Sequence, residues 1–472
     1  MQILPFLLHN CKTMRDIYDI VVIGSGLGGL TAANRMARAG RKVLLVEQHS
    51  QIGGLATYFR RRGHIFDVAL HGFPIGMKKS LRKYWGRDFS ERVIQVKSIR
   101  FDNPQYSLES TFDTADFSAK LTGHFNIPEE TVKSFFAALS AMNYYDRTDE
   151  TTREFFNRFF PGRTDVWRFL MEPITYANGS TLDEPAISYG IVFSNFMSEG
   201  VYTFLGGTDC MLGMMEKELA ANGVDLETCC HAERINVDNG KVRSVVLNGK
   251  EIGCRAVIFN GSLPRLVNEL VGREHFSGDF ADGLSKVRLS TSSCQVYMGI
   301  KPGEKLPYIG DLLFTSRHPC FDSDALCARN VTSRTYSVYY PEIRPGSDRY
   351  SIVASMNAKF EDWAAMSRDE YKAAKAQMVE DTLDAVSQYV PNIRSICDCT
   401  EAATPLTFGR YTGHLNGATF GTKFEGLKYS MDIGNQIGGL FHTGSVGIIM
   451  SGWLGAMNYG VIVSNNADRY LI

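Results

Sequence analysis

The chain has 472 residues, and its 50 Lys and Arg residues nearly balance its 51 Asp and Glu residues, for a formal net charge of −1. This balance of mixed charges argues against a nucleic acid as partner. The length exceeds what a single hydrophobic core usually serves, so we expect two domains. The ten cysteines are scattered without a CxxC pair, which indicates reduced thiols in a cytoplasmic protein.

Two short clusters contain metal-binding residue types. Cys229-Cys230-His231 and Cys397-Asp398-Cys399 both lack the partner ligands that a zinc site needs at a regular spacing. We therefore predict no metal site.

The N-terminal stretch from Ile3 to Leu8 is apolar and has no basic region before it. It is too short for a signal peptide with a cleavage site and far too short to span a membrane, and Met14 is an equally good start. We therefore expect no targeting segment here.

Residues 19–47 have the pattern of a βαβ unit. The apolar run Ile20 to Ile23 predicts a buried parallel strand, and it leads into Gly24-Ser25-Gly26-Leu27-Gly28-Gly29. A helical stretch from Leu30 to Ala39 and a second strand from Val43 to Val46 follow, and Glu47 ends that strand. This order of strand, glycine turn, helix, strand and acid is typical of dinucleotide binding.

Each part of this unit has a physical role. Gly24 allows the tight turn, and Gly26 lets the backbone approach a pyrophosphate without an intervening Cβ. Gly29 lets the helix lie close to the sheet, and the free N–H groups at the helix start attract the anion. Glu47 can accept hydrogen bonds from a ribose diol. The alternative is a glycine-rich turn that binds nothing. The predicted cofactor residues of this unit are Gly24, Ser25, Gly26, Gly28, Gly29 and Glu47.

A second glycine pair, Gly53-Gly54, follows Glu47 after one short loop, and the stretch from Tyr58 to His71 contains Gly63-His64-Ile65-Phe66-Asp67. In these features the sequence resembles the flavoprotein superfamily of amine oxidases, phytoene desaturases and Rab GDP-dissociation inhibitors. It is most similar to the branch of phytoene desaturases, carotenoid isomerases and retinol saturases. The resemblance implies that Gly53 and Gly54 contact FAD. Many relatives place an arginine directly after the glycine pair, where this chain has Leu55, and Arg60, Arg61 or Arg62 could supply that charge.

The resemblance continues in the middle of the chain. Phe204-Leu205-Gly206-Gly207 precedes a helical stretch from Cys210 to Ala221 and several short strands, two of them joined by a hairpin turn at Asp238-Asn239-Gly240. The family has the same order of elements. This implies that the backbone near Ala232 reaches the adenine, and that Asn260-Gly261 follows the strand leading to the substrate domain.

The resemblance also covers the C-terminus. Thr404 to Thr407, Gly417 to Gly421 and Gly438 to Gly444 look like the family's approach to the flavin, which implies that Gly444 and Ser445 bind FAD. Many relatives have aspartate where this chain has Ser445, although a hydroxyl can also bond a ribityl or phosphate oxygen.

No Asp, Glu, Lys or Arg occurs between Ile433 and Ala467. Glycines and polar residues interrupt the run of about 20 apolar residues that a membrane span needs. We therefore predict a buried strand, a turn and a helix from Gly455 to Ala467. The positive N-terminal end of this helix would point at the flavin and stabilise the negative charge of its reduced form.

The expected fold class is α/β. It comprises a discontinuous Rossmann-like FAD-binding domain (1–75, 200–275 and 400–472) and a mixed α+β substrate domain (76–199 and 276–399). Aromatic helical stretches, Phe135 to Tyr145 and Phe155 to Phe160, indicate core packing, or else a subset lines an apolar tunnel for a polyene or prenyl chain. Strands are expected at Cys294 to Ile300 and Arg334 to Tyr340. The next helix is predicted to start at the capping box Ser367 to Glu370 and to stop at Pro391.

The sequence offers few catalytic candidates. In flavin-dependent desaturation the cofactor takes the hydride, so the protein need only place the substrate and remove a proton. His71 is the best candidate for acid–base work, although a lone histidine is more often structural. Arg410, Tyr411 and His414 are the runners-up.

A cluster of basic residues follows the second glycine pair. It has three interpretations: a solvated hairpin, an anion contact, or a docking patch for anionic lipid at the periphery of a membrane. Its members are Arg60, Arg61, Arg62, Lys78, Lys79, Arg82 and Lys83.

The resemblance implies an FAD-dependent oxidoreductase that desaturates carbon–carbon bonds of a long apolar, carotenoid-like substrate. The same flavin could instead serve cis–trans isomerisation or saturation of a polyene. Amine oxidation is a further enzymatic alternative, which the Phe66-Asp67 region disfavours. From another class, a prenyl-binding protein of the GDP-dissociation-inhibitor type would share the fold without using flavin. The intact glycines and Glu47 argue against that alternative. The oligomeric state stays open.

Overall fold

The protein is described from a computed structural model, which covers residues 14–142, 149–447 and 450–472. The apolar stretch from Ile3 to Leu8 and the pair Tyr144-Tyr145 lie outside the described residues.

The strands alternate with helices along most of the chain. They are β1 (Ile17–Ile23), β2 (Val43–Val46), β3 (Tyr58–Arg61), β4 (His64–Asp67), β5 (Phe73–Pro74), β6 (Val93–Gln95), β7 (Ile99–Asn103), β8 (Tyr106–Ser110), β9 (Val201–Phe204), β10 (Asp225–Glu227), β11 (Ala232–Asp238), β12 (Lys241–Leu247), β13 (Lys250–Phe259), β14 (Ser292–Ile300), β15 (Leu312–Ser316), β16 (Ser333–Tyr339), β17 (Ser351–Ala358), β18 (Cys397–Ala403) and β19 (Leu440–His442).

The helices vary from single turns to twenty residues. They are α1 (Leu27–Arg38), α2 (Gly76–Tyr84), α3 (Arg87–Glu91), α4 (Thr114–Gly123), α5 (Glu129–Ala141), α6 (Thr152–Phe159), α7 (Thr164–Asn178), α8 (Ala186–Met197), α9 (Gly207–Ala221), α10 (Leu263–Arg265), α11 (Gly278–Ser285), α12 (Glu361–Ala364), α13 (Arg368–Val386), α14 (Ile393–Ile396), α15 (Pro405–Thr412), α16 (Leu427–Gln436) and α17 (Gly452–Leu471).

The first sheet has the order β10-β2-β1-β13-β12-β11, with β19 pairing parallel to β13. β1 lies parallel to both β2 and β13, and Ile20, Val21 and Val22 at its centre are fully buried. Such burial on both faces is what a parallel sheet covered by helices requires. α1 connects β1 to β2 and packs beside α17, and the α/β fold class is confirmed.

The second sheet has the order β18-β14-β17-β16-β15-β7-β8 and is mainly antiparallel. Helices α4 to α8 form an aromatic core beside it, in which Phe135, Phe155 and Phe156 are fully buried. Strands of the first sheet come from residues 17–46, 225–259 and 440–442, and those of the second from 99–110 and 292–403. The limits of the two domains stay a prediction.

Several predicted elements agree closely with the structure. The turn between β11 and β12 has Asn239 at φ +50° and Gly240 at φ +69°, the left-handed pair that a two-residue hairpin turn favours. The capping box at Ser367 and Glu370 is formed, although α13 ends at Val386, before Pro391. In the described ranges, no helix is both long and apolar enough to cross a membrane.

Candidate cofactor and substrate site

One cavity of about 580 Å³ lies between the two sheets. At the first sheet it is lined by Glu47 and Ala232, and at the second by Gln295 of β14, with His71 from the loop after β4. The N-terminal residues of α1 and of α17 form parts of its wall, as does one side of α8. The cavity therefore joins the βαβ unit to the proposed substrate region.

The two predicted glycine segments lie against each other at this cavity. Gly26 forms a bridge with Gly53, and the Gly53 amide donates to the Ser25 carbonyl at 2.9 Å. Gly24, Gly53 and Gly54 all have positive φ, which only glycine adopts without strain. The fold thus places both glycine segments along the same stretch of the cavity wall.

Most of the predicted cofactor residues line the cavity, and two do not. A Cβ on Gly29 would stand 2.0 Å from the Gly24 carbonyl oxygen, and one on Gly444 would stand 1.9 Å from the Gly261 oxygen. These two glycines allow close backbone packing and are not part of the described wall. The predicted residues that do line the cavity are Gly24, Ser25, Gly26, Gly28, Glu47, Gly53, Gly54, Ala232 and Ser445.

Asn260 is a wall residue whose side chain the sequence analysis missed. Its Nδ2 donates to the Gly24 carbonyl at 3.3 Å. A Cβ on Gly26 would stand 2.7 Å from this Nδ2, and a Cβ on Gly28 would stand 2.8 Å from the Asn260 Oδ1. The Asn260 amide is thus a second reason, besides a pyrophosphate, for glycine at both positions. The position of the Asn260 side chain depends on the parallel pairing of β13 with β1. No local pattern in the sequence indicates this position.

The Glu47 carboxylate is 6% exposed and is held in place by backbone and hydroxyl donors. Its Oε2 accepts from the Ser25 amide at 2.9 Å and the Ser25 hydroxyl at 2.6 Å, and its Oε1 accepts from the His49 amide at 3.0 Å. Each carboxylate oxygen has two lone pairs, so capacity remains for a ligand diol. The role of Glu47 in ribose binding stays a prediction.

The three arginines after the second glycine pair have partners elsewhere. Arg60 lies 3.6 Å from Asp209, Arg61 forms an ion pair with Glu401 at 2.9 Å, and Arg62 donates to the Asp398 carbonyl at 3.0 Å. None of them lines the cavity.

Arg265 is the one Arg or Lys among the cavity-lining residues that the structure describes. It lies at the end of α10, and its Nε donates to Glu269 at 2.9 Å. Its guanidinium lies beside Gly413, because a Cβ there would stand 2.5 Å from its Nη1. The segment after β13 therefore places a guanidinium on the cavity wall, where Leu55 offers no charge.

His71 lines the cavity but has hydrogen-bond partners on both ring nitrogens. Gln295 Nε2 donates to the Val68 carbonyl at 2.9 Å, while the Tyr297 hydroxyl donates to Gln295 Oε1, so the orientation of the amide is fixed. The same Nε2 lies 3.1 Å from the Ser355 hydroxyl and 3.4 Å from His71 Nε2. His71 Nδ1 lies 2.7 Å from the Ser337 hydroxyl, and a ring proton on Nδ1 would leave Nε2 as the acceptor that faces the cavity.

Burial lowers the pKa of His71 to about 4, so the ring is neutral at pH 7. Its Nε2 also lies 3.1 Å from the Ser355 hydroxyl. A proton acceptor of low basicity is thus held on the wall of the cavity, and a catalytic role for it stays a prediction.

The runners-up divide into two groups. Tyr411 and His414 line the cavity, whereas Arg410 does not and instead lies over the Tyr411 ring. The His414 ring is buried, which lowers its pKa, and its Nδ1 donates to the Ala418 carbonyl at 2.7 Å. These contacts give His414 a structural role in the turn after α15.

Asp67, from the motif that carries part of the resemblance, lies outside the cavity wall. It is 1% exposed, forms an ion pair with Arg344 and accepts from the Thr208 amide at 2.7 Å. Asp67 therefore ties the β4 strand to the start of α9 and to the loop after β16.

The wall near α8 and the start of α17 is largely apolar. Phe135, Phe155 and Phe156 do not reach it, in agreement with their interpretation as core packing. The apolar side chains that do line it include Phe73, Val192, Phe196, Phe420, Trp453 and Leu454.

The residues present fit FAD. α1 begins at Leu27 directly after the glycine turn, so its free N–H groups can accept an anion. Glu47 offers an acceptor for a diol, Arg265 offers a cation for a diphosphate, and the N-terminal turn of α17 lies on the same wall.

Comparisons with known proteins agree with this fold and site. The family model described as flavin containing amine oxidoreductase matches residues 27–395. The chloroplastic prolycopene isomerase of Daucus carota is 23% identical in an alignment of 454 positions that covers 87% of this chain and 72% of that protein. The all-trans-retinol 13,14-reductase of Homo sapiens is 22% identical in an alignment of 522 positions that covers 95% of this chain and 85% of that protein. The structure of cyclohexylamine oxidase from Brevibacterium oxydans superposes with a TM-score of 0.65 at 13% identity, covering 96% and 98%.

Proposed function

Because the chain belongs to the flavin-containing amine oxidoreductase family, we propose that it desaturates carbon–carbon bonds of a long apolar substrate of the isoprenoid or polyene type. The protein is an oxidoreductase whose cofactor is FAD. The names of its relatives, prolycopene isomerase and all-trans-retinol 13,14-reductase, support a polyene substrate.

The observation that carries this proposal is the scarcity of charge in the cavity. Among its described lining residues the charged side chains are Glu47 and Arg265, both near the βαβ unit. An ammonium substrate would be expected to meet a carboxylate near the reacting atom, whereas the one lining carboxylate among the described residues, Glu47, lies beside the glycine turn. The apolar wall at Phe73, Phe196 and Trp453 instead suits a hydrocarbon chain, which gains free energy simply by leaving water.

The chain's own residues would bind, orient and deprotonate the substrate. When bound, FAD supplies the acceptor for the hydride that leaves one carbon. The apolar wall holds the polyene and excludes water, so the reacting carbons stay in one place. The proton on the neighbouring carbon must leave as the double bond forms. His71 offers Nε2 as its acceptor when the ring proton is on Nδ1, which lies 2.7 Å from the Ser337 hydroxyl.

Isomerisation or saturation of a polyene is the second candidate, and the relatives favour it. The two named above are an isomerase and a reductase, and each is matched over most of its length. Both reactions would use the reduced cofactor and the same apolar wall.

Anaerobic incubation of the purified holoprotein with phytoene, prolycopene and all-trans-retinol tests these reactions. Desaturation bleaches the oxidised flavin absorbance and yields a product that has lost two hydrogens by mass spectrometry. With dithionite-reduced protein, isomerisation gives a product of unchanged mass and altered retention, and saturation gives one that has gained two hydrogens. If no polyene is converted in either redox state, the proposal is wrong.

A pair of matched variants tests whether the substrate binds in the cavity. Phe196→Asp places a charge on the apolar wall, whereas Ser194→Asp places it on the same helix away from the lining. We expect the first to raise KM for the polyene at least about tenfold, since burying an unpaired carboxylate is costly. The second should leave KM unchanged, and equal effects would mean that the substrate lies elsewhere.

A further inference from the structure

We propose that the exposed basic face of α2, formed by Lys78, Lys79, Arg82 and Lys83, docks the protein on an anionic lipid bilayer beside the opening of the cavity. This inference rests on the proposed function in one respect, namely that an apolar substrate would be drawn from that bilayer.

The positive charges on α2 are not balanced by ion pairs with the residues that the structure describes. The four basic side chains face solvent, while Met77, Ser80 and Leu81 of the same helix are buried. The sequence of α2 contains no acidic residue. None of the four cations forms an ion pair with any residue that the structure describes, and Lys83 lies over the Tyr84 ring at 5.4 Å. On the neighbouring α3, Glu91 forms an ion pair with Arg87 at 2.6 Å, so Asp88 is the one other carboxylate that this helix presents.

The other basic residues of the sequence cluster behave differently. Arg60 and Arg61, on the β3 strand, face Asp209 and Glu401. Arg62 is bound to a backbone carbonyl. Arg60 and Arg61 on the hairpin thus have carboxylate partners, whereas the four basic residues of α2 have none among the described residues and form the larger group of uncompensated charges.

The basic face lies beside the opening of the cavity. α2 follows directly after β5, whose Phe73 and Pro74 line the cavity. A Cβ on Gly76 would stand 2.9 Å from a Leu454 methyl group, and the Ser80 hydroxyl donates to Asn458 at 2.9 Å.

One stripe of α17 reaches solvent at the same opening. Leu454, Asn458 and Ile462 follow one another at intervals of four residues and all line the cavity. Leu454 and Asn458 are partly exposed, and Ile462 is 40% exposed. α2 therefore borders the place where the apolar wall meets water.

This combination of an apolar opening and an adjacent cationic helix fits the surface of a bilayer. Lys and Arg side chains extend their charged ends towards anionic headgroups while their stems cover apolar surface. A long hydrocarbon substrate is sparingly soluble in water and partitions into the acyl layer. Docking at α2 would bring the apolar opening against that layer.

Vesicle sedimentation of the full-length holoprotein tests the docking. The probes are vesicles of phosphatidylcholine alone and of equal parts phosphatidylcholine and phosphatidylglycerol. The test variant replaces all four basic residues of α2 by glutamine. The control replaces Lys217, Lys286, Lys305 and Arg329, which are exposed on other elements, and so removes the same total charge.

We expect the wild type to bind the vesicles that contain phosphatidylglycerol and not those of phosphatidylcholine alone. High salt should release the bound protein. The α2 variant should lose at least about tenfold in vesicle partition, and the control should lose less than about twofold. Equal losses in the two variants, equal binding to neutral vesicles, or no binding by the wild type would each overturn the proposal. In the last case the cationic face would serve an acidic protein instead.

The salt release of the wild type needs no variant and so does not depend on how the substitutions fold. Flavin absorbance should be unchanged in both variants, because none of the eight substituted residues lines the cavity. Vesicle binding requires no turnover, so a failure of the polyene assay and a failure of docking are separate results.

Discussion

The Asn260 amide fills the space into which a side chain at Gly26 would extend, since a Cβ there would stand 2.7 Å from Asn260 Nδ2. This relationship joins the glycine turn after β1 to the loop after β13, two segments more than 200 residues apart in sequence. A side chain at position 26 would therefore displace the Asn260 amide even in the protein without cofactor.

Gly26→Ala should therefore destabilise the apoprotein. Overpacking typically costs about 1–3 kcal/mol in the free energy of unfolding, and turning the Asn260 amide away would also break its hydrogen bond to the Gly24 carbonyl. Urea unfolding of the FAD-free protein measures this cost. Adding Asn260→Ala should restore most of the loss, because it removes the atoms that the new methyl group meets. If the single variant is as stable as the wild type without FAD, the glycine serves the pyrophosphate alone.

Local sequence patterns predicted several helices, strands and turns correctly, because the structure of each depends on residues that are close to one another in sequence. The βαβ strands follow from apolar runs, the β11–β12 turn from Asn239-Gly240, and the start of α13 from its capping box. α1 begins at Leu27 rather than Leu30, since the glycine turn itself continues into the helix.

Contacts between distant segments were beyond the sequence analysis. Nothing near Arg265 or Asn260 in sequence indicates that the loop after β13 folds over the glycine turn. The expected cationic role of Arg60 to Arg62 could not be judged without knowing that Asp209 and Glu401 lie opposite two of them. Gly444 has the same residue type as the cofactor-lining glycines, yet its close packing on the Gly261 backbone explains it, whereas the packing role of Gly29 was predicted from the sequence.

Glu47→Ala should weaken FAD binding. Removal of the carboxylate takes away the acceptor of a ribose diol and leaves the Ser25 and His49 donors unpaired, which typically costs about 1–3 kcal/mol. The dissociation constant of FAD, measured by quenching of flavin fluorescence on adding apoprotein, should rise accordingly. Glu47→Gln keeps one acceptor and should lose less. An unchanged dissociation constant for Glu47→Ala would place the ribose elsewhere.

Arg265→Met should weaken FAD binding without affecting riboflavin, which has no phosphate. A partly buried cation facing a diphosphate typically contributes about 1.5–3 kcal/mol. The matched control is Arg61→Met, which removes an arginine that is paired with Glu401 away from the cavity. Titration of each apoprotein with both ligands distinguishes the cases. Equal weakening of riboflavin would show that Arg265 shapes the cavity rather than binding phosphate.

His71→Asn should lower kcat by about 10²-fold or more if Nε2 accepts the substrate proton, with KM little changed. Because the pKa of His71 is lowered to about 4 by burial, the acidic limb of the wild-type kcat profile should lie near that value rather than near 6.5. The flavin content of the variant controls for an indirect effect on the cofactor. A variant with full kcat would leave His71 as a residue that only positions Gln295 and Ser355.

His442 should make the stability of the protein depend on pH. It is 1% exposed, its Nε2 donates to the Gly261 carbonyl at 2.9 Å, and burial lowers its pKa from 6.5 to about 4. Between these values the unfolded state binds more protons than the folded state, so stability rises with pH in this window. The stabilisation is complete above about pH 6.5 and is lost as the pH falls to about 4. Its full size is about 3 kcal/mol.

Urea unfolding at several pH values between 4 and 7 measures this dependence. His71 and His414 have lowered pKa values for the same reason and will contribute to the slope. His442→Gln retains a donor for the Gly261 carbonyl and an acceptor for the Ser430 hydroxyl but cannot titrate. It should therefore show a flatter pH dependence than the wild type. An identical slope in the two proteins would mean that the folded state admits a proton at His442 by rearranging this contact.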